Sequence, residues 1–198
     1  MMGKEEEMMQ RTTYMTLLLA LVLQMVGCGG APRMGTYNIA ITTSSPWPAC
    51  ETDIIGIGES ELADWSSMTT SDVDAYFSPT SPRRESELVF DDKPNGRRIK
   101  AVDDPSKEGD DIIAVQSGST ETATLPKSDE VWATWKDRRV MYAVVLTNRK
   151  IAGAPALPFI IPLATNRWSG VIDDKTIEVR MPPGDIKFAR NPKEPSDK

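Results

Sequence analysis

The chain has 198 residues, with 23 lysines and arginines against 29 aspartates and glutamates, for a net charge of −6. This acidity argues against a nucleic-acid partner, which needs a basic stripe, and against peripheral docking on anionic lipid. The absence of histidine removes the commonest general base and the commonest imidazole metal ligand.

Leu17 to Val26 is apolar except for Gln24. That run is about half of the roughly 20 residues a spanning helix needs. It matches the apolar region of a secretory signal peptide, about 7–15 residues long. Lys4 and Arg11 precede it, with Glu5, Glu6 and Glu7 between them; read from Met8 or Met9, the leader carries Arg11 as its only charge before the run.

The run ends in Met25-Val26-Gly27-Cys28, which resembles the bacterial lipobox, with Met25 where leucine is usual. The resemblance implies that the Cys28 thiol receives a diacylglyceryl group. The leader is then cut before Cys28 and the new amine is acylated. Each buried methylene contributes about 0.8 kcal/mol, so one chain holds marginally while two or three anchor firmly. Gly29 follows Cys28, and by resemblance to Gram-negative lipoproteins this implies the outer membrane, facing the periplasm. The alternative is an ordinary buried cysteine after a core helix. The expected organisation is a signal peptide over 1–27, a tether over 28–35, one β-sandwich domain over 36–189 and a disordered tail over 190–198.

"TYNIAIT" alternates, with Tyr37, Ile39 and Ile41 on one face of a strand. "TTSSPWPACE" follows as a loop, Thr43 to Glu51. "TDIIGIG" is an apolar, glycine-broken strand, and "GESELADWSSM" places Leu62 and Trp65 at helical spacing. "SPTSPRRE" and "DDKPNGRR" carry loop chemistry, with Asn95-Gly96 as the expected tight turn. "ELVF" and "RRIKAV" are short strands, and "DDPSKEGDD" is an acidic loop. "DDIIAVQ" and "TETATL" are expected to form a hairpin across Ser117-Gly118-Ser119.

"KSDEVWATWKDRR" predicts a second helix, capped by Ser128, with Val131, Trp132 and Trp135 toward the core. "RVMYAVVLT" is a continuous apolar run fit for a central strand. In "LPFIIPL", Pro158 and Pro162 cannot donate to a ladder, which places it at an edge. "KTIEVRM" and "DIKFA" close the domain. Many short strands with two helical inserts predict a mainly β fold, a β-sandwich.

No catalytic motif survives inspection. "GIGES" lacks the third glycine of a dinucleotide loop and the closing glycine of a nucleophile elbow, and reads as a bend at a strand end. Cys50 has no histidine to activate it, and with Cys28 lipidated it is a buried thiol or an intermolecular bridge. The acidic loop lacks the spacing of an EF-hand. The chain is expected to be no enzyme and to need no cofactor or metal; no small-molecule substrate is identified.

Trp47 sits between Pro46 and Pro48, which stiffen its loop. One reading presents Trp47, Pro46 and Pro48 to an envelope protein partner, since a stiffly held aromatic is a good interface anchor. The other folds the ring back over the sandwich end, with Cys50 beneath it.

A lipobox cysteine, a glycine tether, a strand, a loop, a second strand, a helical insert and a closing Ile-x-Val strand come in order. The layout resembles the small lipoprotein of type VI secretion systems. That resemblance implies a lipid-anchored sandwich whose first inter-strand loop, here Thr43 to Glu51, binds the periplasmic domain of a large inner-membrane protein. "LPFIIPL" and the acidic loop depart from that layout. A competing expectation is a cell-wall or carbohydrate-binding lipoprotein using an exposed Trp47 or Trp168. A third is a purely structural lipoprotein.

Overall fold

The computed structural model describes residues 33–43, 46–109, 111–148, 157–165, 176–181 and 187–188. The chain divides into two compact units, Met1–Pro32 and Arg33–Lys198, and every described residue belongs to the second. The expected leader, Cys28, Trp168 and the tail lie outside the described residues.

Among these residues the strands are β1 (Asn38–Thr43), β2 (Glu51–Ile57), β3 (Val89–Phe90), β4 (Lys93–Pro94), β5 (Gly96–Val102), β6 (Ile112–Gln116), β7 (Ala123–Leu125), β8 (Tyr142–Thr147), β9 (Phe159–Pro162), β10 (Thr176–Met181) and β11 (Lys187–Phe188). The helices are α1 (Leu62–Ser66), α2 (Thr70–Tyr76), α3 (Pro82–Leu88) and α4 (Val131–Asp137). One sheet runs β11-β10-β1-β7 and the other β6-β5-β2-β8-β9, while β3 and β4 form a separate hairpin. The fold is mainly β with short helical inserts.

The two sheets share one apolar core. Ile39 and Ile41 of β1, Leu125 of β7, and Ile177 and Val179 of β10 meet Ile54, Ile99, Val145 and Ile161 of the five-stranded sheet. The period-2 alternation of β1 and β10 is the sequence trace of this one-sided burial. β2 and β8 read differently because both of their faces are covered. Their outward residues Ile55, Ile57, Val144 and Leu146 pack against Trp65, Met68, Val73, Tyr76 and Leu88 from the segment spanning α1 to α3. The result is three layers: sheet, sheet and helices.

Helix α4 turns the other way. Val131, Trp132 and Trp135 are buried in the inter-sheet core, as the spacing predicts. Its start is set by the Asp129 carboxylate, which accepts from the Val131 amide at 2.9 Å, and not by Ser128. Trp135 passes over Gly56, where a Cβ would strike its ring, and donates its indole N–H to the Asn95 carbonyl at 2.8 Å. The glycine in "TDIIGIG" therefore lies inside β2 and admits a tryptophan.

Several expectations are corrected. "SPTSPRRE" is not all loop: Pro82 opens α3, a position where its missing N–H costs nothing. The tight turn is at Asp91-Asp92, both with positive φ, while Asn95 bridges α3 to β2. Its side-chain amide donates to the carbonyls of Glu87 at 2.7 Å and Gly56 at 3.3 Å. β6 and β7 do not form a hairpin. The turn at Ser117-Gly118 carries the chain from one sheet to the other, where β7 pairs with β1 and β6 lies parallel to β5. "LPFIIPL" does lie at the edge as β9, and Met34 bridges Ala164 just beyond it.

Candidate functional site

Arg97 and Arg98 are adjacent in β5, so their side chains leave opposite faces of the strand. Each binds a different neighbour. Arg97 donates through Nε to Asp129 at 3.0 Å and through Nη2 to Glu130 at 3.0 Å, which ties β5 to the start of α4. Arg98 donates through Nη2 to Glu85 at 2.7 Å, which ties β5 to α3. Between these attachments, and beside the β3–β4 hairpin, lies an open groove of about 440 Å³.

Leu88, Val89, Pro94 and Ile112 give the groove its apolar surface, and Glu85, Asp92, Asp111 and Glu130 its acidic groups. Gly96 lies in its wall because a side chain there would meet the Ile54 carbonyl and Leu88. The groove's cations are engaged: Arg97 and Arg98 as described, and Lys93 with Asp137 at 3.8 Å. The carboxylates of Asp92 and Asp111 meet no cation among the described residues, and both residues are exposed.

The α3 wall is fixed by a buried charge cluster. Asp53 of β2 is fully buried and faces the helical layer. Arg84 of α3 contacts both of its oxygens, and Tyr76 of α2 donates its hydroxyl to Asp53 Oδ2 at 3.0 Å. Burial opposes the charge on Arg84, but hydrogen bonding and attraction from Asp53, then Glu51, outweigh it and raise its pKa. Burial first, then the Asp53 charge, raises the Tyr76 pKa far above the ordinary phenol range. Arg84 keeps its charge and Tyr76 its proton across the physiological range, so their grip on Asp53 is a fixed clamp.

The hairpin forms the outer rim. Its two-residue turn, Asp91-Asp92, has φ of 48° and 59°, the left-handed pair that a tight hairpin requires. Val89 and Phe90 are 47% and 42% exposed, adjacent apolar residues in water. The Arg138 guanidinium stacks over the Phe90 ring at 4.4 Å from its centroid.

The residues picked out by sequence lie elsewhere. Trp47 is 1% exposed. Its indole N–H donates to the Glu121 carbonyl at 2.7 Å, and its backbone pairs with Ser119 and Gly118. The ring is folded back into the core that also holds Cys50, so it is not an exposed anchor. Pro46 is exposed and Pro48 half-buried. Trp65, Trp132 and Trp135 are buried as well.

The "GIGES" segment forms a bend at the end of β2, where the Glu61 carboxylate accepts from the Gly58 amide at 2.7 Å. The acidic loop is braced by Lys107 on Asp104 and by Lys100 on Glu108. No group of three or more metal-ligating side chains is found among the described residues. None of their helices is long and apolar enough to cross a membrane.

Sequence reading missed the groove because its walls come from segments far apart in the chain. The one local signal was the exposed Val-Phe pair followed by two aspartates. Comparison with protein-family models, curated proteins and solved structures returns no match.

Proposed function

We propose that this chain is a lipid-anchored envelope protein, held through Cys28, whose β-sandwich acts as a protein-binding module with no enzymatic role. The observation that carries the proposal is Met25-Val26-Gly27-Cys28 at the end of an apolar run of signal-peptide length. The sandwich takes up the chain at Arg33 to Gly35, alongside β9, with the Gly35 amide donating to the Leu163 carbonyl at 2.8 Å. The groove lies by β5 and β6, at the other side of the same sheet. Four strand spacings of about 4.8 Å separate β9 from β6.

The layout resemblance to the type VI lipoprotein extends the proposal to a large inner-membrane protein as partner, with the outer membrane as anchor. Among the described residues of the first inter-strand loop, Pro46 and Ala49 are exposed, so a contact there would use these and not the buried Trp47 ring. The carbohydrate reading has no exposed tryptophan among the described residues.

Fractionation of cells expressing the full chain or Cys28→Ala tests the anchor. The proposal expects the wild type in the membrane pellet and the variant in the soluble fraction. Equal membrane retention of both would contradict it.

A further inference from the structure

We infer that the groove beside the β3–β4 hairpin docks a segment of a partner protein that carries a basic residue next to a large apolar one. The inference rests on the protein-binding reading above and names the surface and the partner chemistry.

The first argument is the exposed apolar pair. Val89 and Phe90 are neighbours, and the only other exposed large apolar residue among the described residues is Leu157. Val89 lines a groove whose apolar surface also includes Leu88, Pro94 and Ile112, while Phe90, the next residue of β3, leaves the opposite face of the strand. Exposed apolar area that continues into a concave surface marks an interaction site more often than scattered residues do.

The second argument is charge. Arg97 and Arg98 are bound to carboxylates of the chain itself and Lys93 lies 3.8 Å from Asp137, while the carboxylates of Asp92 and Asp111 meet no cation among the described residues. An arginine or lysine of the partner would complete these two carboxylates, and its neighbouring apolar side chain would cover Val89. The rim charge then sets register and encounter rate, and the apolar contact sets residence time.

The third argument concerns the mode of docking. The outer edge of β6 is already occupied at both ends. The Ile112 amide donates to the Gly109 carbonyl at 3.1 Å, and the Gln116 amide to the Glu121 carboxylate at 3.2 Å. These contacts compete with strand addition at both ends of this short edge, which favours recognition by side chains in the groove.

The experiment is selection of a random twelve-residue peptide library on the full chain, with counter-selection on a Val89→Ser variant. Val89 is 47% exposed and lines the groove, so its replacement changes the groove surface and leaves the fold in place. Asp92→Gly, the second variant, removes a rim carboxylate at φ 59°, a conformation glycine adopts freely. Circular dichroism of both variants serves as the folding control.

The expected result is enrichment of peptides with lysine or arginine beside a large apolar residue. Their affinity falls about tenfold in each variant and declines as salt rises. Peptides that bind the variants as tightly as the wild type, acidic peptides, or no enrichment would overturn the inference. Concentration-dependent self-association abolished by Val89→Ser would also overturn it, by assigning the groove to a second copy. Peptide binding that persists when Cys28 proves unmodified removes the envelope reading and leaves the groove assignment intact.

Discussion

Arg84 clasps Asp53 side-on beneath the helical layer, with Nε 2.7 Å from Oδ2 and Nη2 2.9 Å from Oδ1. The pair joins α3 to β2 at the middle of the five-stranded sheet, and α3 is one wall of the groove. Groove shape and domain stability thus depend on the same contact. Asp53→Ala leaves a buried guanidinium without its main counter-charge and is expected to lower the unfolding free energy by about 3–5 kcal/mol. Tyr76→Phe removes one hydrogen bond to the same carboxylate and is expected to cost about 1.5–3 kcal/mol. The triple change Asp53→Leu, Arg84→Met and Tyr76→Phe recovers most of the stability, since both charges and the hydroxyl bound to Asp53 leave together. Urea denaturation of the four proteins checks this order.

Gly56 and Trp135 make a second testable contact. Gly56→Ala would place a methyl group against the indole and push Trp135 off the Asn95 carbonyl. The expected loss is about 1–3 kcal/mol. Tryptophan fluorescence should shift in the native state of the variant, because the displaced indole loses its buried partner.

Trp47→Ala separates structure from binding. The ring is buried and hydrogen-bonded, so truncation is expected to destabilise the domain by about 3–5 kcal/mol. Peptides selected on the groove should bind the folded fraction of this variant with unchanged affinity. A loss of groove binding beyond the loss of folded protein would return the loop to the partner surface.

Two carboxylates give opposite pH signatures. Hydrogen bonds from the Thr69 side chain, then its backbone, hold the Asp72 pKa below 3.8. Its contribution is complete above 3.8 and is lost as pH falls through the lower folded value. Glu87 is raised above 4.5, chiefly by burial, so its folded form favours the proton. Its contribution therefore weakens as pH climbs from 4.5 through the raised value. Asp72→Asn should flatten the acid limb of the stability profile below about pH 4. Glu87→Gln should stabilise the protein more at pH 7 than at pH 4. Thermal melting across this range checks both signs.

What could be read from the sequence followed the physics of one-sided burial. Tyr37, Ile39 and Ile41, and later Ile177 and Val179, alternate because one face meets the core, and they were legible. The fully apolar run of β8 announced a strand covered on both faces. Helix α3 was not legible, because its buried residues are Arg84 and Leu88 and the first of these is charged. An inward-facing arginine mimics a surface residue until its partner, Asp53, is known. The turn was missed for a related reason: Asn95-Gly96 carries the stronger hairpin signature, while Asp91-Asp92 adopts the left-handed conformation without a glycine. Composition could place a tryptophan between two prolines but not say which way its ring would turn. The Glu121 carbonyl that holds it is 74 residues away.

The most direct test of membrane anchoring is the intact mass of the chain purified from membranes in detergent. The expected species begins at Cys28 and carries the mass of a diacylglyceryl group, with a further acyl chain on its amine. Its membrane form is absent from cells expressing Cys28→Ala. A chain that retains residues before Cys28, or one that begins at Cys28 with no added mass, would contradict lipid anchoring.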